Sequence, residues 1–149
     1  MLGAEDFAHL VRVAPLVAID LVICDPDDRF LLGLRSNEPA KGTWFVPGGC
    51  IRKNERFAAA FVRILADETG LKMPIAAARP LGAFEHFYET NRFSDPGYGT
   101  HYVVLAYALH LDHRPEIRLD EQHSAIRWMS AAEILAAAEV HENTKAYFR

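Results

Sequence analysis

Two apolar, β-branched runs open the pattern, residues 16–24, interrupted only by Asp20, and residues 30–34, with Asp25-Pro26-Asp27-Asp28 between them. Short apolar runs separated by turn-prone residues predict two strands joined as a hairpin. Across residues 41–49, Gly42, Pro47, Gly48 and Gly49 break regular structure and leave Trp44, Phe45 and Val46 as a short strand-like piece. The period then changes. From 54 to 69 the residues Phe57, Phe61, Ile64 and Leu65 fall at helical spacing, with Asn54 suited to the N-cap, Glu55 to the first turn and Gly70 to the stop. Strands are predicted again at 81–88, 101–111 and 125–129, the middle one so uniformly apolar that both its faces should be covered. Ser130-Ala131-Ala132-Glu133 fits a capping box opening a second helix, and a third is predicted over 143–148. Residues 89–100, with Pro96, Gly97 and Gly99, read as a mobile loop beside any site. The order β-β-helix-β-β-β-helix predicts an α/β (α+β) protein with a mixed sheet between helices.

Composition narrows the partners. With 149 residues, half of them apolar, the chain can bury one core, so a single domain over 1–149 is expected. A net charge of -4 and a pI near 5.9 argue against a surface built on nucleic-acid phosphates. Glu5, Asp6 and His9 interrupt the first residues, which lack the apolar stretch of a leader or membrane span; a cytoplasmic protein without membrane attachment is expected. Cys24 and Cys50 have no metal-ligand spacing and read as reduced thiols, neither of them a nucleophile.

Glu68 carries the most chemistry, because it continues the spacing 57, 61, 64, 65 and so lies on the helix's apolar stripe. An unpaired buried carboxylate costs on the order of several kcal/mol, so its natural partner is a bound cation or an arginine such as Arg63. The alternative is a surface glutamate at a fraying helix end. Gly48 and Gly49 ahead of the helix permit close backbone approach, aiming carbonyls at a metal or amides at a phosphate. The specific feature is the whole spacing: Gly49, five residues, Glu55, seven residues, Arg63, then Leu65, Glu68, Gly70 and Leu71.

This run resembles the Nudix box, a loop-helix-loop that binds a divalent cation and a nucleoside diphosphate linked to another group. Two positions depart from it: Ile64 stands where the glutamate after the arginine belongs, and Asp67 replaces a glutamate. Loss of a carboxylate at 64 removes a group that such enzymes use for metal binding or base catalysis, so another residue must activate water. Beyond the box the chain is similar to the GDP-mannose mannosyl hydrolases, a Nudix branch lacking the same glutamate. The shared runs include Glu5-Asp6-Phe7, Pro15-Leu16-Val17, Phe30-Leu31-Leu32-Gly33, Trp44-Phe45-Val46-Pro47-Gly48-Gly49, His86-Phe87-Tyr88, Thr100-His101-Tyr102-Val103-Val104-Leu105, Asp120-Glu121-Gln122-His123 and Arg127-Trp128.

The resemblance implies a Nudix fold and hydrolysis of GDP-mannose or GDP-glucose at the sugar's anomeric carbon, releasing GDP and free hexose with inversion. It implies Mg²⁺, with Mn²⁺ as the alternative ion, on the Gly48 carbonyl, the Glu68 carboxylate and the Gln122 side-chain oxygen, all hard donors. His123 becomes the general base, since a neutral imidazole accepts a proton near neutral pH; otherwise it is a solvated loop histidine. Arg35 would pair with diphosphate oxygens, and Asp20, His86, Tyr88 and Tyr102 would line the sugar pocket, with hydrogen-bonded core polar groups as the alternative. Glu55 and Arg63 would pair within the loop-helix unit. Cys50 occupies a place where the branch has an arginine that helps neutralise the leaving diphosphate, and Arg52 is the expected substitute. Leu2 and Phe7 match positions that contact nucleotide across a homodimer interface, Phe7 stacking on the base, unless they pack a terminal helix. The rival readings are a pyrophosphatase using Asp67 and Glu68 to release GMP and sugar phosphate, and a catalytically silent nucleotide-sugar sensor.

Overall fold

The computed structural model describes residues 2–117 and 123–149. Its seven-stranded mixed sheet is centred on two parallel strands, β1 (Leu16–Cys24) and β6 (Thr100–His110), in register from Leu16 opposite Tyr102 to Cys24 opposite His110. The expected hairpin partner, β2 (Arg29–Arg35), meets β1 only near the turn, where Cys24 faces Phe30. Beyond that point β3 (Trp44–Phe45) pairs with β2 at Gly33 and Leu34, while β7 (His123–Ser130) runs antiparallel to β2 from Arg29 to Arg35. The edge of β1 thus released would leave buried amides and carbonyls unpaired. β4 (Gly48–Cys50) takes it, setting Asp20 opposite Gly48 and Ala18 opposite Cys50. The antiparallel strand β5 (Arg79–Tyr88) lies on the outer side of β6, with His86 facing Tyr102 and Tyr88 facing Thr100.

Strand parity divides the sheet into two faces. Ile19, Leu21 and Ile23 of β1 join Leu31 and Leu109 in a core under Phe61, Ile64 and Leu65 of the helix that follows β4. The second core, built on Leu32, Trp44, Val46 and Met129, is closed by Ile134 and the partly buried Tyr147 and Phe148. β6 feeds both sides, with Leu105 and Tyr107 against the first core and Val104 and Ala106 buried on the other parity.

Several boundaries differ from the sequence reading for local reasons. An N-terminal helix, α1 (Ala4–Val13), carries Glu5 and Asp6 in its first turn and Arg12 in its last, the arrangement the helix dipole favours. α2 (Phe57–Thr69) starts two residues later than expected, with Arg56 rather than Asn54 at the N-cap and no side-chain capping bond. Asn54 instead adopts a left-handed φ of 65°, and Glu55 remains in the loop, where Oε1 accepts a bond from the Arg52 amide at 3.0 Å. Gly70 ends the helix as expected, with a left-handed φ of 79°. α3 (Ala131–Ala136) has the expected cap, the Ser130 hydroxyl accepting from the Glu133 amide. The last predicted helix divides into α4 (Glu142–Lys145) and a 3-10 turn, Ala146–Phe148. The loop before β6 is a built turn rather than a loose one: buried Asn91 donates to the Asp95 and Tyr98 carbonyls and accepts from the Phe93 and Asp95 amides. No helix among the described residues is long and apolar enough to cross a membrane.

Candidate active site

The sheet face opposite α2 holds a cleft of about 140 Å³. Strand parity explains its lining. Ala18 and Asp20 of β1, Gly48 and Cys50 of β4, Tyr102 and Val104 of β6, and His86 and Tyr88 of β5 occupy one parity in paired registers. Arg35 at the end of β2, Phe7 and Val11 of α1, and Arg92 of the Asn91 turn complete the walls. The cleft is smaller than the ~300 Å³ or more typical of small-molecule pockets, a size for one end of an elongated ligand.

At the cleft floor three polar groups from distant segments meet. The Tyr147 hydroxyl donates to Asp20 Oδ2 at 2.6 Å and lies 3.3 Å from His86 Nε2. A phenol has one proton, and Asp20 receives it, so His86 satisfies its contact by donating from Nε2, which leaves Nδ1 as the acceptor. Burial pushes the Asp20 carboxyl up to about 7 against the opposing Tyr147 hydrogen bond and Arg35 charge. Burial, assisted by His141, pushes His86 down to about 4. The imidazole is therefore neutral at neutral pH. Gly48 lies so close that a Cβ there would collide with Asp20 Oδ1 and stand 2.7 Å from the Ile19 carbonyl.

Two guanidinium groups border this floor. Arg35 sits at a register shift in β2, its Nε donating to the Pro39 carbonyl at 2.8 Å. Arg92 also lines the cleft and is not singled out by the sequence, because its position depends on Asn91 folding the loop back. Both act favourably on a thiolate at Cys50, yet burial, with the Asp20 charge, pushes that thiol up to about 11 and keeps it neutral. Arg52, expected on this side, is exposed and outside the cleft lining. Leu2 is also exposed, whereas Phe7 lines the cleft and meets Phe93 edge-on at 5.8 Å.

Below the cleft the loop-helix unit is held by Arg63. Its Nε and Nη2 donate to the two Glu55 oxygens at 2.8 and 2.9 Å, and Nη2 also donates to the Cys50 carbonyl at 2.8 Å. These bonds hold the Glu55 carboxyl down at about 2. Arg63 is thereby engaged, with Asp67 as its further partner at 3.6 Å. Ile64 is 1% exposed, and a Cβ on Gly49 would stand 3.2 Å from its Cγ1. Glu68, one turn later on the helix that packs against β4, has a buried Oε2. A carboxylate oxygen placed there and the Gly48 carbonyl are hard donors of the kind Mg²⁺ takes, so the described part of the expected ligand set fits the ion. Gln122 lies outside the described residues. Of His123 only the backbone is described, opposite Arg35 at the start of β7.

Among the residues that sequence reasoning did not single out, Tyr147 carries the least signal. It reads as one more aromatic on a C-terminal helix, and only the three-dimensional position of Asp20 reveals its partner.

A family model described as NUDIX domain matches residues 14–149. A Haloferax volcanii protein named low-salt glycan biosynthesis protein Agl8 is 39% identical over 123 residues, covering 83% of this chain and 76% of that relative. A MutT Nudix hydrolase from Burkholderia pseudomallei aligns with a TM-score of 0.71 at 24% identity, over 90% of this chain and 95% of that one. The Nudix domain of Shewanella oneidensis NrtR, solved with ADP ribose, aligns with a TM-score of 0.68 at 23% identity, over 99% and 95%. The two solved structures share the mixed sheet and helices of the Nudix fold.

Proposed function

Because the chain belongs to the Nudix domain family, we propose that it hydrolyses a nucleoside diphosphate-sugar at the sugar's anomeric carbon, with GDP-mannose or GDP-glucose yielding GDP and free hexose. The observation that carries this reading is Ile64. A position that would serve as a metal-binding carboxylate is instead packed against Gly49 in the core, so attack on phosphorus loses one of its ligands. The neighbouring Asp67 is 61% exposed and turned to Arg63. Polar groups gather instead at Asp20, His86, Tyr88 and Tyr102, a set suited to sugar hydroxyls. A relative named for glycan biosynthesis also favours a nucleotide-sugar.

In this reading Arg35 and Arg92 neutralise the diphosphate through charge-assisted hydrogen bonds. Asp20 and His86, fixed by Tyr147, orient the hexose. The His123 imidazole accepts a proton from water as the water oxygen bonds to the anomeric carbon and the carbon–oxygen bond to the diphosphate breaks, its electron pair leaving with GDP. Gly48, Glu68 and Gln122 would hold Mg²⁺, which supplies positive charge beside the departing diphosphate.

Hydrolysis of GDP-mannose with Mg²⁺ in ¹⁸O-water tests the reading. GDP and labelled hexose are expected. GMP with labelled phosphate product would replace it with pyrophosphatase chemistry, and saturable binding without turnover would leave a nucleotide-sugar sensor.

A further inference from the structure

We propose that Cys24, Asp28 and His110 form a zinc site at the end of the central strands remote from the substrate cleft. The three residues come together through strand register. Cys24 and His110 are the final in-register pair of the parallel strands β1 and β6. Asp28 follows in the β1–β2 turn with a left-handed φ of 57°, which brings its carboxylate back over Cys24. One donor atom from each lies within 4.8 Å of the other two, and Cys24 Sγ is 4.0 Å from Asp28 Oδ1.

Tetrahedral zinc, with bonds of about 2.3 Å to sulfur and about 2.0 Å to nitrogen or oxygen, holds such donors roughly 3.3–3.6 Å apart. Closing the present separations takes a shift on the order of an ångström. Asp28 and His110 are exposed and able to make it, while Cys24 is buried and fixed.

The surroundings hold this geometry in place. Asp25, 0% exposed, accepts from the Asp27 and Arg29 amides at 2.9 Å through Oδ1, and Oδ2 pairs with Arg114 at 2.6 Å. Its oxygens are thus committed to shaping the turn that presents Asp28. The donor set selects the metal. A thiolate, an imidazole and one carboxylate form a mixed soft and borderline set suited to zinc rather than to magnesium. Binding releases the Cys24 thiol proton to solvent, and the thiolate and carboxylate charges then balance the dication. Water fills the fourth position.

None of the three residues lines the cleft. Along β1, Cys24 lies four residue steps beyond Asp20, about 13 Å of extended strand. The ion would cross-link the β1–β2 turn to the end of β6, so its role is structural.

Cobalt titration of the full chain in excess Mg²⁺ tests the site, because Co²⁺ bound to a thiolate gives a near-ultraviolet sulfur-to-metal absorption that oxygen sites do not. One equivalent should produce that band, Zn²⁺ should displace it, and Cys24→Ser should abolish it while Cys50→Ser leaves it intact. Cys24 is buried, so the exposed-position variants Asp28→Asn and His110→Gln guard against misfolding; each should weaken Co²⁺ binding at least tenfold with turnover unchanged. A missing band in the native protein, a band that follows Cys50, or undiminished affinity in both exposed-position variants overturns the proposal.

Discussion

Replacing Arg63 by Met should destabilise the protein by an amount that depends on pH. Arg63 makes two bonds to Glu55 and one to the Cys50 carbonyl, and the two side chains are 23% and 14% exposed. Breaking a fully buried pair costs about 3–5 kcal/mol and an exposed one about 0–1 kcal/mol. This mostly buried, bidentate case falls between, at roughly 2–3 kcal/mol after allowing for solvent screening. For a chain of this size that lowers Tm by about 5–10 °C. The sign of the pH dependence follows from Glu55, whose carboxyl is depressed from 4.5 to about 2, first by the Arg63 hydrogen bonds. A depressed carboxyl contributes stability that is complete above its unfolded value and is lost as pH falls through its folded one. The gap between native protein and Arg63→Met should therefore be widest above about pH 5 and shrink toward about pH 2. Urea unfolding followed by circular dichroism over this range measures it. A gap under about 1 kcal/mol at neutral pH, or one that stays constant on acidification, would refute the assignment of the pair as the clamp of this loop.

Tyr147→Phe removes the hydroxyl that opposes burial at Asp20, so the Asp20 carboxyl should rise above its present value of about 7; carboxyl ¹³C NMR reads this, and an unchanged titration rules out the bond. In the same variant kcat/KM for GDP-mannose should fall about tenfold, the equivalent of one lost hydrogen bond of about 1.4 kcal/mol. Arg92→Ala should raise KM about tenfold if its guanidinium meets the diphosphate, and adding Cys50→Arg, within the same cleft, should recover much of that loss. Unaltered KM in Arg92→Ala would mark Arg92 as a solvated side chain, and no recovery from Cys50→Arg would show that position 50 does not reach the diphosphate.

What could be read before the structure is what depends on local period. The apolar run of β1 and the spacing of Phe57, Phe61, Ile64 and Leu65 both mark core elements, and Ile19, Leu21, Ile23, Phe61, Ile64 and Leu65 are buried, whereas Val17 at the start of β1 and Phe57 in the helix's first turn are exposed. The sequence alone opens α2 too early because Asn54 and Glu55 are good residues for a helix start, and this local preference loses to a tertiary demand. Glu55 is required outside the helix, where it meets both Arg63 and the Arg52 amide. Likewise, the Asp25-Pro26-Asp27-Asp28 turn correctly announced a reversal, but could not disclose that β1 and β2 part after a single register pair.

The polar groups of the site were legible as anomalies rather than as partners. Asp20 interrupts an apolar strand, and a carboxylate there requires compensation; nothing local says that its donor is Tyr147, 127 positions later. Cys24 and His110 show the same limit, since metal spacing along a chain detects ligands from one loop or helix, whereas parallel strands join residues 86 positions apart. Ile64 is the opposite case. Its departure from the motif was visible immediately, and the structure supplies its physical consequence: once the side chain packs on Gly49, a carboxylate at that position would enter an apolar contact and need its own counter-charge. The substitution is thus supported by the packing around it, and restoring glutamate there alone should weaken the core before it creates a competent metal ligand.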